Sequence, residues 1–204
     1  MASAPAAAVI LAAAVPLGVG EKFLVLTMFT RIFTLFRHRW LDASDCQRTL
    51  PVDMLKRLQD RVSASEQRHS GEIRICVEAG LPTSYLWRHF WHKASIRTVM
   101  RQRAIMMFSK LRIWDTEHNN GVLIYLLLAE RDIELVADRG INQHVDPAEW
   151  EAIVQRLSKA LHEDRFEDGL TQALEEVSAI LMRHFELKAG EKNSDELQNA
   201  PFIA

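Results

Sequence analysis

The sequence predicts an α/β fold in which a small mixed β-sheet is sandwiched between helices on both faces. Residues 122–128, VLIYLLL, form a continuous apolar run, which is typical of a central strand that is covered on both faces. A second strand-like run at residues 133–137 follows a short charged break and predicts a hairpin. Segments with the helical apolar period flank these strands, giving the order helix, strand, helix, strand, strand, helix, helix.

The first helix and the first strand are predicted from a change of period. Residues 50–68 have apolar side chains at helical spacing, with Pro51 suited to the first turn. The following EIRICVEAG alternates between apolar and polar residues, which predicts a half-buried strand. One face of this strand carries Ile73, Ile75 and Val77, and the other carries Glu72, Arg74 and Cys76.

The remaining elements follow from similar signals. Residues 79–94, rich in aromatic side chains, predict an irregular connection, and a helical period returns from Ser95 to about Leu111. A helix beginning at Asp146 has an N-cap acceptor followed by proline, and another helix covers about residues 166–185. These elements organise the chain into an N-terminal extension, a domain and a flexible tail, at residues 1–49, 50–186 and 187–204.

Composition limits the classes of function. The chain has 204 residues, 48% of them apolar, which suits one domain with a substantial core. With 25 basic and 27 acidic residues the net charge is −2, so charge provides no drive toward nucleic acid. The two cysteines, Cys46 and Cys76, form no CxxC or Cys/His cluster, which favours a reducing compartment.

The N-terminal residues allow three interpretations. Residues 1–20 contain no charged side chain and are rich in alanine, without the positive n-region of a secretory signal. They would be a weak membrane anchor or export segment, a disordered leader, or the product of a start codon placed too early, with Met28 as the true start. We favour the third interpretation and therefore a cytoplasmic location, with membrane association through residues 1–36 as the alternative.

Four segments in order resemble the TPM domain family. They are SGEIRICVEAGL (70–81), NNGVLIYLLLAERDIELVADRGIN (119–142), the helix containing Trp150, and RFEDGLTQALEEVSAIL (165–181). With the preceding helix, the resemblance covers roughly residues 50–186, and the closest subgroup is the short form without a C-terminal transmembrane helix. It implies a mixed sheet with helices on both faces and a crevice at one edge, where some members bind calcium or other divalent ions.

Polar residues at the ends of the predicted strands are the candidate metal ligands: Glu72, Glu117, Asn120 and Asp138. The start of one hairpin strand lies beside the end of its partner, so Asn120 and Asp138 are expected to be close. Carboxylate and amide oxygens are hard ligands suited to Ca²⁺ or Mg²⁺. The alternative is that Asn-Asn-Gly and Asp-Arg-Gly serve only as turns. The family has an acidic pair before the glycine, and this chain has Asn119-Asn120 instead.

Three functions remain open at this point. The leading hypothesis is a divalent-ion-binding and interaction module without established catalysis. The resemblance also implies a metal-dependent phosphatase using the same crevice, with Arg74 and Arg139 as phosphate contacts, although the chain contains no nucleophile motif of a known hydrolase. The third is a membrane-peripheral adaptor working through the aromatic and basic segments 85–93 and 29–40, with an unknown protein or a membrane surface as partner.

Histidines offer a weaker metal hypothesis. His89 and His92 are three residues apart, and with His118 they would suit zinc or another transition metal. The surrounding aromatic residues favour packing instead.

Overall fold

The computed structural model describes residues 33–92, 94–188, 193 and 196–204. The three interpretations of residues 1–27, and most of the proposed anchor within residues 1–36, therefore lie outside the described residues. Within the described ranges, no helix is both long enough and apolar enough to cross a membrane. The helices are α1 (the described residues 33–40), α2 (Ala43–Thr49), α3 (Val52–Glu66), α4 (Thr83–Trp91), α5 (Ile96–Lys110), α6 (Arg139–Asn142), α7 (Pro147–His162) and α8 (Phe166–Phe185). The strands are β1 (Glu72–Glu78), β2 (Gly121–Leu127), β3 (Asp132–Ala137) and β4 (Phe202–Ile203).

The sheet is mixed, as predicted. The described strands lie in the order β3-β2-β1-β4. β1 runs parallel to both β2 and β4, and β3 returns antiparallel to β2. The parallel pairing places the start of β1 beside the start of β2, and the hairpin places the end of β3 there as well. The polar residues at these three strand ends therefore lie together at one end of the sheet.

Two hydrophobic cores lie on the two faces of the sheet, which confirms the predicted sandwich. Alternating side chains of β1 and β2 enter opposite cores because neighbouring residues on a strand point to opposite faces. Ile75 and Ile124 pack on the face covered by α2, α3, α7 and α8. Cys76 and Tyr125 pack on the face covered by α4 and α5.

β1 differs from the half-buried strand that its alternating pattern predicts. All seven of its residues are buried, including Glu72, Arg74 and Glu78. The reason is that α4 and α5, together with residues 193 and 197–198, cover the face that carries these side chains, so both faces of β1 are covered. Its polar side chains are buried and must find partners inside the fold.

The predicted irregular connection at residues 79–94 was wrong, because α4 occupies Thr83–Trp91. Pro82 precedes its first turn, where a missing backbone N–H costs nothing. Only Leu86 of this helix is buried, and Trp87 and Trp91 are exposed. The aromatic side chains therefore do not form the apolar stripe that identifies a helix in a sequence.

The two ends of the described chain are attached to the domain. In α1, the His38 ring accepts a hydrogen bond from the Leu81 N–H (3.0 Å) and donates one to the Glu130 carboxylate (2.8 Å). At the other end, Phe202 and Ile203 pair with β1, and the Ala204 N–H donates to the Val77 carbonyl (2.9 Å). The sequence pattern did not predict this strand, because it indicated only a flexible tail for these residues.

Candidate functional site

The sheet brings three of the four predicted ligands to one edge. Glu72 is in register with Gly121, the residue after Asn120. The Asp138 N–H donates to the Gly121 carbonyl (2.9 Å), and the Glu72 N–H donates to the Asn120 carbonyl (3.3 Å). The backbones of Glu72 and Asp138 therefore both bond to the dipeptide Asn120-Gly121, which brings Glu72, Asn120 and Asp138 close together. We call this group the strand-end cluster.

A tight turn fixes the geometry of the cluster. Asn119 has a positive φ of 53°, and its carbonyl accepts a hydrogen bond from the Gly140 N–H (3.0 Å). A Cβ on Gly140 would lie 2.6 Å from the Asn119 carbonyl oxygen and 2.7 Å from that of His118, so only glycine permits this approach. The sequences Asn-Asn-Gly and Asp-Arg-Gly thus form turns that are fastened to each other.

Asp138 has one carboxylate oxygen in use and one without a partner. It is the N-cap of α6, where its Oδ1 accepts a hydrogen bond from the Arg139 N–H (2.7 Å). Its Oδ2 is buried and has no hydrogen-bond donor among the described residues. Arg139 does not neutralise this oxygen, because its guanidinium donates twice to Asn119 Oδ1 (3.0 and 2.8 Å). A buried carboxylate oxygen without a donor is a strong acceptor for a cation.

Asn120 is buried, and its hydrogen bonds join two segments of the chain. Its backbone N–H donates to Thr116 Oγ1 (3.1 Å), and its side-chain nitrogen donates to the carbonyl (3.0 Å) and hydroxyl (3.2 Å) of Ser70. These bonds orient the amide so that its oxygen is the atom left for a ligand. Thr116 and Ser70 are site residues that the sequence analysis did not identify, because their bonds to Asn120 form only in the folded chain.

Glu72 is fully buried and its carboxylate is held by the C-terminal segment. Asn193 donates its side-chain N–H to Oε1, and the Leu197 backbone N–H donates to Oε2, both at 3.2 Å. No sequence signal indicates these contacts, since they depend on the chain end folding back across the sheet. Hydrogen bonds of this kind stabilise the ionised carboxylate.

Glu117 is exposed and lies beside a separate cavity. Its backbone N–H donates to Glu196 Oε2 (3.1 Å). The cavity, of about 500 Å³, lies between this turn and the end of α8 and is lined by Glu117, His118 and His184 among others. Asp138 is not among the lining residues, so Glu117 and Asp138 face different surroundings.

The described part of the chain contains no group of three or more histidine, cysteine, aspartate or glutamate side chains placed to hold one metal ion. His89, His92 and His118, the alternative zinc ligands, therefore form no such group either. The ring of His89 donates to the Ala94 carbonyl (2.7 Å) and so connects α4 to the residues that follow it. A cation at the strand-end cluster would therefore bind through few protein carboxylates, with carbonyl, amide and water oxygens completing its coordination.

Neither cysteine is a nucleophile. Cys46 and Cys76 are buried free thiols, and burial raises their pKa values to about 11 and about 12. A thiol of this kind is protonated at neutral pH and acts as a small apolar residue.

The protein is therefore an α/β domain in which a mixed sheet lies between two helical layers and a polar cluster lies where three strands begin or end. The chain belongs to the TPM domain family, whose model matches residues 44–180. The structure is similar to the NMR structure of the BA42 protein from the psychrophilic bacterium Bizionia argentinensis, with 24% sequence identity, a TM-score of 0.62, and coverage of 76% of this chain and 95% of that one.

A second similar structure is the N-terminal domain of a protein from P. gingivalis. It has 14% identity and a TM-score of 0.53, and the match covers 69% of this chain and 83% of that chain. At these identities both likenesses show a shared fold and carry no function with them. A search of the curated proteins finds no match.

Proposed function

We propose that this protein is a divalent-ion-binding and interaction module whose ion, Ca²⁺ or Mg²⁺, binds at the strand-end cluster. The observation that carries the proposal is Asp138 Oδ2, a buried carboxylate oxygen with no donor among the described residues. Burying an unpaired acceptor costs free energy unless a ligand satisfies it. A cation at this oxygen would remove that cost.

The neighbouring residues fit a weakly bound hard cation. Asp138 Oδ2 would be the direct carboxylate ligand, and the amide oxygen of Asn120, whose backbone is close, would be the second ligand. Glu117 lines a separate cavity and would add only negative charge. Glu72 already accepts two hydrogen bonds from the C-terminal segment, so it would contribute negative charge without direct contact. Mg²⁺ binds through one or two carboxylates and keeps several waters, and Ca²⁺ modules with few charged ligands have dissociation constants on the order of 10⁻⁴–10⁻³ M.

Thermal unfolding of the full chain with Asp138→Asn tests the proposal. A ligand at ten times its dissociation constant stabilises the folded state by about 1.4 kcal/mol, which raises the Tm of a chain of this size by roughly 3–6 °C. We expect Ca²⁺ or Mg²⁺ to produce this rise in the natural sequence. Asn keeps the N-cap acceptor and removes the charge, so the rise should disappear in Asp138→Asn while the fold remains.

Asp146→Asn is the matched control, since Asp146 is also an N-cap aspartate and accepts from the Ala148 N–H (2.8 Å) at the start of α7. This variant should keep the full ion response. Equal responses in both variants, or no response to either ion in the natural sequence, would contradict the proposal. Release of phosphate from an aryl phosphate, abolished by Asp138→Asn, would favour the metal-dependent phosphatase in its place.

A second candidate function is a membrane-peripheral adaptor, favoured by exposed aromatic side chains on α1 and α4. Trp40, Trp87 and Trp91 are exposed, and the rings of Trp87 and Trp91 contact each other (5.2 Å between centroids). The two helices are adjacent, because His38 of α1 bonds to the backbone just before α4. Arg88 lies in the same helix turn, and tryptophan with arginine is typical of surfaces that bind anionic lipid.

Cosedimentation with phosphatidylcholine vesicles containing phosphatidylserine tests the adaptor. Trp87→Ser with Trp91→Ser should lower the partition coefficient by at least about tenfold, because each indole loses its apolar burial. Ile105→Ser, at an exposed apolar residue of α5, is the control and should leave binding unchanged. No sedimentation of the natural sequence at low salt would exclude this function.

A further inference from the structure

Arg74, in the middle of β1, is a buried guanidinium that no carboxylate of the described residues neutralises. Its residue is 7% exposed, and no acidic side chain of the described residues forms an ion pair with it. Its Nη2 donates to Gln198 Oε1 at 3.4 Å, a long and neutral contact. Its Nη1 is buried and has no acceptor within the described ranges. Burial lowers the pKa of this group because it disfavours the charged form.

Arg103, another largely buried arginine on this side of the sheet, differs from Arg74 because it has a carboxylate partner. Glu78 accepts two hydrogen bonds from Arg103, from Nε (2.7 Å) and from Nη2. Arg103 therefore has a bidentate carboxylate partner, the geometry that a guanidinium fits best. Arg74 is more deeply buried as a residue and has no such partner. Its free donor is set for an acceptor that is not part of the described chain.

A cleft of about 410 Å³ lies at Arg74, between the end of α5 and the C-terminal segment. Its lining includes two further cations, Lys110 and Arg112, and two acids, Asp115 and Glu196. Arg112 pairs with Asp115 (3.0 Å), and Glu196 accepts from the Glu117 N–H. Lys110 lies over the Phe202 ring (5.8 Å) and forms no ion pair with the described residues. Among the described residues, Arg74 and Lys110 have no ion-pair partner, and the described lining holds three cations against two acids, a net charge of +1.

We propose that this cleft binds a small oxyanion, a phosphoryl or carboxylate group, with Arg74 as the buried donor and Lys110 at the mouth. Arginine donates in parallel to two oxygens of such a group, and the bond is strengthened by its low-dielectric surroundings. The acids at the rim favour a ligand of one or two negative charges over a polyanion. The cleft size admits a phosphomonoester or a small dicarboxylate. This site is separate from the ion proposed at Asp138.

Thermal unfolding of the full chain in the presence of a chelator, at constant ionic strength set with chloride, tests the oxyanion site alone. Inorganic phosphate, glycerol phosphate and succinate are titrated in parallel. We expect the Tm to rise with the logarithm of concentration for at least one class. A rise with the two phosphates alone identifies a phosphoryl ligand, and a rise with succinate alone identifies a carboxylate ligand. No rise with any of them overturns the proposal.

Arg74→Met is the decisive variant, because replacing an unpaired buried charge by an apolar residue of similar length is compatible with folding. Losing one charge-assisted donor should weaken the apparent affinity by roughly tenfold to a hundredfold. Arg48→Met, at an exposed arginine of α2, should leave the affinity unchanged. Equal affinities in Arg74→Met and the natural sequence overturn the proposal.

Two further measurements do not depend on Arg74→Met folding. Lys110→Gln changes an exposed side chain and should weaken binding while the stability without anion stays the same. In the natural sequence, the Nε–Hε NMR signal of Arg74 should move on titration with the anion that raises the Tm. An unmoved Arg74 signal at saturating anion would place the ligand elsewhere and overturn the proposal.

Discussion

Replacing Glu78 by alanine is expected to destabilise the protein by about 3–5 kcal/mol, the usual cost of removing one partner of a buried ion pair. Glu78 is buried at the end of β1, and its carboxylate accepts from the Arg103 guanidinium and from the Tyr125 hydroxyl (2.6 Å). The carboxylate raises the pKa of Arg103, as hydrogen bonding to the charged form should. Without it, a largely buried cation and a fully buried hydroxyl lose their acceptor together.

Chemical and thermal denaturation of the natural sequence, Glu78→Ala and the double variant Glu78→Met with Arg103→Met measure the free energy of unfolding and the Tm. The single variant should lower the Tm by roughly 6–20 °C for a chain of this size. The double variant should recover much of the loss, since it leaves no unpaired charge inside the fold. A loss below about 1 kcal/mol in Glu78→Ala is the value for an exposed pair and would show that the buried network is not formed.

The elements predicted correctly are those whose pattern depends on local sequence. The apolar run of β2 indicated a strand covered on both faces, and both faces are covered. The hairpin to β3 was predicted without a glycine, and the structure explains how this is possible. Arg131 adopts a positive φ of 51° in the turn, a conformation more often given to glycine or asparagine.

Two predictions were wrong: the exposure of one face of β1, which was correctly predicted to be a strand, and the irregular conformation of residues 79–94. β1 alternates between apolar and polar residues like a strand with one wet face, but β4 arrives from more than 120 residues away and makes it an interior strand. Glu72, Arg74 and Glu78 are buried because α5 and residues 193 and 197–198 cover their face of the strand. Each then depends on a partner that local sequence does not indicate. α4 was missed for a local reason. Its aromatic residues Trp87 and Trp91 face outward, so its sequence has no apolar stripe at helical spacing.

The candidate site also has one part that local sequence predicts and one part that depends on distant contacts. Hairpin geometry alone predicted that Asn120 and Asp138 are close, and both lie at the strand-end cluster. The contacts to Glu72 from Asn193 and Leu197 were not predictable, since a polar tail without periodicity gives no register. The same segment contacts Arg74 through Gln198. The two proposed sites thus share a cover formed by residues 193 and 197–198, although different side chains would bind the cation and the oxyanion.

Acid is expected to destabilise the fold through His69, by about 3 kcal/mol between pH 6.5 and pH 4. Burial lowers the pKa of His69 from 6.5 to about 4, with the cation of Arg68 adding to the effect. The folded state therefore binds fewer protons than the unfolded state in this range. The stability is fully present above pH 6.5 and is lost as the pH falls toward 4, at about 1.4 kcal/mol for each unit of pKa difference.

The hydrogen bonds of His69 explain why its neutral form is preferred. Nδ1 donates to the Gly71 carbonyl (3.0 Å), so Nε2 accepts from the Ser178 hydroxyl (3.2 Å), which also receives a bond from Arg68 (3.3 Å). Protonation of Nε2 would place two donors against that hydroxyl. Urea unfolding from pH 7.5 to 4 should show a stability decrease that His69→Asn flattens and that exposed His92→Gln leaves intact. Identical pH profiles in all three proteins would assign the acid sensitivity to other groups.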